Sequence, residues 1–123
     1  TVTVLGAHDV WAWVVVLANG LVGCWALAAH RWRVLGGRRL WAAVIVAQAT
    51  VFVQVVLGVW LTAVDGRTAP GLHNLYGFVA LFTVGMLYAY RSQLVAHVYI
   101  LYGLGELFMM GLAIRAMFLG TGI

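Results

Sequence analysis

His73-Asn74-Leu75-Tyr76-Gly77-Phe78-Val79 opens the third apolar run of the chain. It reads almost position for position like His8-Asp9-Val10-Trp11-Ala12-Trp13-Val14 at the head of the first. In both, a His is followed by a short amide or acid, an aliphatic residue, an aromatic, a small residue, a second aromatic and Val. The copies lie 65 positions apart. A repeated, His-led helix start predicts two imidazoles that face each other across an internal symmetry axis.

The surroundings of these stretches fix the solvent. The chain has 123 residues, of which 65% are hydrophobic and only 8% charged, with a mean hydropathy of +1.04. A soluble domain carries roughly a quarter of its residues as charges. Too little polar surface is present here to cover a core in water, so the class is integral membrane protein. All seven basic residues are Arg, and the net charge of +4 is a topology signal. Nothing resembles a basic stripe with interleaved aromatics, so nucleic acid is not an expected partner. The single Cys24 excludes an intramolecular disulfide and reads as a buried apolar filler. No basic segment precedes the first run, which reads as a span rather than a cleaved signal.

Polar punctuation divides the chain into four runs, expected at about 10–30, 40–64, 72–90 and 95–119. Arg31 to Arg39, Asp65 to Gly71, and Arg91-Ser92-Gln93 separate them, and Gly120-Thr121-Gly122 stops the last. Each run suffices to cross ~30 Å of hydrocarbon at about 1.5 Å per residue. Short connections make neighbours antiparallel. The expected fold is one all-α domain, 1–123: an integral membrane four-helix up-down bundle. Arg31, Arg33, Arg38, Arg39 and Arg91 lie on one side, Arg67 and Arg115 on the other. The positive-inside rule then puts both termini outside, as in the plasma membrane of a bacterium. The repeat predicts two helical hairpins related by a pseudo-two-fold axis along the membrane normal. A weaker match of Gln54 to Leu61 in run two with Leu107 to Ile114 in run four extends it.

On a helix, His8, Ala12, Val15, Asn19, Gly23, Ala26 and His30 share one face of run one. His73, Gly77, Ala80 and Val84 share the equivalent face of run three. A His with Ala12 or Gly77 one turn later, on each of two facing helices, leaves a slot for a flat macrocycle. Imidazole is a standard axial ligand for haem iron. The plainer reading is that small residues permit close helix approach and that the histidines meet lipid headgroups. Arg67 and Arg115, on the same side, are candidate partners for haem propionates or simply snorkelling side chains. His30 lies ~33 Å along the helix from His8, too far to share its metal. A second site from His30 and His97 is geometrically allowed, though neither heads a repeated motif, and ordinary interfacial histidines are the simpler expectation.

Asn19, Gln48, Gln54 and Glu106 are the polar residues inside the runs. An intramembrane carboxyl is costly, so Glu106 should face the bundle interior, protonated or hydrogen-bonded. With an amide it would make a proton-relay or quinone site, or merely tie helices together. There is no CxxCH, zinc spacing, phosphate loop or nucleophilic triad, and no catalytic residue is marked.

Gln54-Val55-Val56-Leu57-Gly58, the following outer loop and His73 resemble the Q-x-x-L-G helix and haem-ligand helix of the haem A synthase family. His8 with Trp11 resembles that family's other ligand helix. The likeness covers roughly residues 5 to 90, and extends more loosely to other small four-helix b-type cytochromes. It implies a half-length relative with haem b between the outer ends of spans one and three. The family's Glu three residues before the first ligand His falls at Leu5, so the catalytic carboxylate is missing. The resemblance therefore implies haem binding and electron transfer, not catalysis by this chain alone. Expected partners are the bilayer and a larger membrane redox complex or further copies of the chain. The alternatives are a chlorophyll-type pigment on the histidines, or a cofactor-free accessory subunit of a respiratory or photosynthetic complex.

Overall fold

The computed structural model describes residues 3–68 and 70–120. Ala69 in the second connection, and Thr121 and Gly122 beyond the last span, lie outside the described residues. Four helices account for most of the rest: α1 (Val4–Arg31), α2 (Arg38–Ala63), α3 (Gly71–Tyr90) and α4 (Val98–Gly120). No strand occurs among the described residues. All four are long and apolar enough to cross a membrane.

Local chemistry sets their ends. α1 begins ahead of the apolar run because Thr3 caps it, its hydroxyl accepting from the Gly6 N–H at 2.9 Å. That places His8 inside the helix, in its second turn, where its direction is fixed. Gly37 breaks the chain before α2 with φ of 102°, a left-handed conformation that favours glycine. Pro70 precedes α3 with φ of −54°, and its carbonyl accepts from His73 N–H at 3.0 Å.

Contacts between side chains give the packing directly. Along α1, His8, Trp11 and Asn19 meet Gln54, Thr50 and Ala47 of α2 in descending order. Gly20 and Gly23 meet Met110 and Leu107 of α4, and His30 meets His97 just before α4. His73 and Leu87 of α3 meet Ala116 and Gly105 of α4. Each neighbouring pair is therefore antiparallel, and α1 runs parallel to α3. α1 packs closely against α2 and α4, and α3 against α4, whereas α2 and α3 scarcely touch. The bundle is tight along α2–α1–α4–α3 and loose where α3 returns to α2.

α1 is the central element. Of its most apolar window 44% is buried, against 11% for α3, whose one buried residue is Leu87. The face expected from its sequence is the buried one: Ala12, Val15, Asn19, Gly23 and Ala26 are all covered. α1 and α4 cross where Gly23 and Gly103 lie back to back. A Cβ on Gly23 would come within 3.0 Å of the Gly103 carbonyl, and one on Gly103 within 3.1 Å of the Gly23 carbonyl. In lipid, where apolar contact is no better than solvent, such close backbone approach and dense packing hold helices together. Cys24 is a correction: it is exposed on the outward side of α1, not buried filler.

Gly23→Val should therefore lower stability by about 1–3 kcal/mol through overpacking at this crossing. Gly111→Ala, where an added Cβ meets nothing within 4 Å, should leave it unchanged or raise it by up to about 1 kcal/mol. Reversible unfolding in detergent micelles measures both.

Candidate functional site

The two repeated histidines meet. His8 on α1 and His73 on α3 bring their rings to 6.1 Å between centroids, with planes at 66°. α1 and α3 are diagonal in the bundle and hardly pack on each other elsewhere. The pair therefore spans the mouth of the bundle at the end that carries Thr3 and Pro70.

The His73 ring is held by a hydrogen bond, and the backbone that carries the His8 ring is held by another. Nδ1 of His73 donates to the Ala116 carbonyl of α4 at 2.7 Å; a carbonyl only accepts, so the proton is on Nδ1. In the neutral ring this leaves Nε2 as a free lone pair, the arrangement by which ligating histidines are oriented. The His8 carbonyl accepts from the Gln54 side-chain amide of α2 at 2.8 Å. One turn along α2, a Cβ on Gly58 would lie 3.4 Å from the His8 ring, so Gly58 sets how closely α2 covers it. Gln54 and Gly58 thus flank His8 from the Q-x-x-L-G stretch. Nδ1 of His8 is enclosed and has no hydrogen-bond partner among the described residues.

Space beside the pair is uneven. Ala12, one turn after His8, is already covered at 7% exposure. Gly77, one turn after His73, borders open space: an added Cβ meets nothing within 4 Å. Any slot is therefore cut on the α3 side. Arg67 in the α2–α3 connection is exposed, as is Arg115, which directly precedes the Ala116 that anchors His73.

The other two histidines also meet. His30 at the end of α1 and His97 just before α4 have ring centroids 5.7 Å apart and planes at 24°. The sequence expectation favoured ordinary interfacial histidines over a second two-histidine site, and the fold brings their rings side by side. No group of three or more His, Cys, Asp or Glu suited to a metal occurs among the described residues. Sites of the zinc kind, with a set of protein ligands, are thus not formed here, whereas two-imidazole pairs are.

The polar residues inside the spans each tie helices. Asn19, fully covered, donates its amide to Val15 of its own helix at 2.8 Å and to Ala47 of α2 at 3.4 Å. Glu106 is fully covered, and its Oε1 accepts from the Gln48 amide at 2.9 Å, linking the diagonal helices α4 and α2. Its Oε2 has no partner among the described residues. Gln54, within a few residues of the middle of α2, donates its amide to the His8 carbonyl. Sequence reasoning missed the Ala116 carbonyl, because a backbone acceptor leaves no mark on residue type. It also missed Trp11, whose indole N–H donates to the Thr50 carbonyl at 2.9 Å and pins the His8 turn to α2.

No protein-family model, curated protein or solved structure matches this chain. The likeness to haem A synthases rests on the residues quoted for it.

The Gln48–Glu106 link predicts a split between two substitutions. Glu106→Ala leaves a buried amide unpaired and should cost about 1–3 kcal/mol, whereas Glu106→Gln keeps an acceptor and should cost less than about 1 kcal/mol. Unfolding in micelles distinguishes them, and equal losses would deny the link.

Proposed function

We propose that this protein is a membrane haem protein of the b-type cytochrome kind, acting in electron transfer, with His8 and His73 as axial ligands. The observation that carries the reading is the facing imidazole pair. Two imidazoles flanking one metal, each nitrogen about 2.0–2.1 Å from it, place their ring centres roughly 6 Å apart. The His8–His73 separation of 6.1 Å matches that span. Three further features fit. His73 offers Nε2 because Nδ1 is tied to Ala116. The enclosed Nδ1 of His8 lacks a partner. The ring pair adjoins open space at Gly77.

Bound haem would supply one-electron iron chemistry, and the chain's own residues hold and shield it. Gly77 leaves room for a flat group on the α3 side, while Gly58 lets α2 close over the His8 ring. Arg67 and Arg115 are the cations available to propionates at that end. The His-led repeat supports two related hairpins, although their packing departs from two-fold symmetry, α1 lying close on α4 while α3 scarcely meets α2. The arginine distribution supports outside termini in a bacterial plasma membrane. A chlorophyll-type pigment needs one axial imidazole, and the pair offers two, which favours iron. The outward face of α3 is left for lipid or for a larger redox complex.

A second reading, a cofactor-free accessory subunit, draws on the same scant burial of α3. Its surface would then dock on partner subunits and the histidines would be interfacial.

Protein purified from haem-sufficient cells should show a Soret band that sharpens and shifts on dithionite reduction. His8→Ala and His73→Ala should each lower haem content by one per chain. A colourless preparation sinks the haem reading, and a haem content unmoved by both substitutions sinks the ligand assignment. Filling the open space should act on binding alone. Gly77→Leu is expected to weaken haem affinity at least tenfold, about 1.4 kcal/mol, with unchanged unfolding of the haem-free protein.

A further inference from the structure

The second histidine pair lies at the opposite end of the bundle, ~33 Å along α1 from the first. It obeys nearly the same internal offset: His97 follows His30 by 67 positions, as His73 follows His8 by 65. The exact repeat would match His30 with Val95, so this second pair stands outside it and arises where the end of α1 meets the start of α4.

The pair is held in place on both sides. The indole N–H of Trp25, in the turn before His30, donates to the Leu35 carbonyl at 2.8 Å. Tyr99, two residues after His97, accepts from the Gly37 N–H at 3.1 Å through its hydroxyl. Its ring lies 5.6 Å from that of Trp41 on α2. The connection between α1 and α2 is thus pinned to the start of α4, fixing the rings 5.7 Å apart. Nδ1 of His30 is enclosed and has no hydrogen-bond partner among the described residues.

The charge around the pair selects its ligand. Arg31, Arg33, Arg38, Arg39 and Arg91 are all exposed at this end. The three acids of the chain, Asp9, Asp65 and Glu106, lie at the other end or mid-span. Arg33 and Arg91 rest on the rings of Tyr99 and Tyr88, at 5.7 Å and 3.7 Å, and Arg31 lies 5.9 Å from the ring of Trp32. No carboxylate competes for their guanidiniums. A bare divalent ion would be placed among five like charges. A haem brings two propionates, which are bidentate partners for guanidinium.

We propose that His30 and His97 are the axial ligands of a second haem, its propionates directed to the arginine-rich end of the bundle. This site does not depend on the assignment at His8 and His73, and its failure is separable from the failure of that one.

The test counts haem per chain in the full-length protein by haem extraction against quantitative amino-acid analysis. Two haems are expected in the parent. His30→Ala and His97→Ala should each lower the ratio from two to one, and His8→Ala combined with His97→Ala should lower it to zero. His97 is exposed, so its substitution leaves the packed core intact. Added imidazole should restore the bis-imidazole absorption and electron-paramagnetic signals of the His97→Gly variant. One haem per chain, lost with His8→Ala but kept in His30→Ala and His97→Ala, overturns the second site and leaves the first. A single haem lost only with His30→Ala and His97→Ala does the reverse, and none overturns both. Copper(II) bound at this pair in place of haem, removed by His97→Ala, also overturns the proposal.

Discussion

The backbone contact between Gly23 and Gly103 is the constraint on which the remaining packing depends. Helices in lipid gain little from apolar burial as such, so they associate where their surfaces permit close approach. Two glycines back to back draw α1 onto α4 along their length. α1 is then covered on one side by α4 and on another by α2, through Trp11, Asn19 and a strip of Ala and Val. α3 has only α4 to lean on. Its Leu87 fits over Gly105 and Leu81 and Val84 lean on the core, while Phe78 and Phe82 point outward.

This asymmetry is what produces the His8–His73 pair. If all four helices packed equally, diagonal positions would be filled by core side chains. Because α2 and α3 scarcely meet, the end of the bundle stays open on the α3 side, and two imidazoles from diagonal helices reach each other across it. Three helices then fix their orientation: α4 through the Ala116 carbonyl, α2 through Gln54 and Gly58, and α1 through the capped first turn. The His30–His97 pair is built differently, at the end of α1 and just before α4, where Trp25 and Tyr99 tie down the connection between α1 and α2. Mid-bundle, the Gln48–Glu106 link joins the diagonal helices that the glycine crossing leaves apart.

Much of this was legible in the chain itself. Four apolar runs with short polar breaks dictate four long helices. The three-to-four spacing on run one marked the buried face correctly, because side-chain direction on a helix follows from its period. The His-led repeat put His8 and His73 at one end, and Q-x-x-L-G marked Gln54 and Gly58. Other features were not readable. Cys24 sits in an apolar run as any core residue would, and only helix rotation shows that it points outward. His97 falls in the irregular turn between α3 and α4, where no helical period locates a side chain. Its meeting with His30 was therefore only one allowed geometry in the sequence, and the packing of α1 on α4 decides it.

What the sequence by itself determined is the number of helices, their being long and apolar enough to cross a membrane, their alternating direction and the composition of the α1 core face. These follow from hydrophobicity and from the helix period, both local properties. What only the tertiary structure decided is which helices touch, which imidazole nitrogen carries the proton, and where space is left. Those depend on distances between backbones far apart in the chain. The Gly23–Gly103 crossing sets them, and a glycine looks the same in sequence whether another backbone lies against it or nothing does.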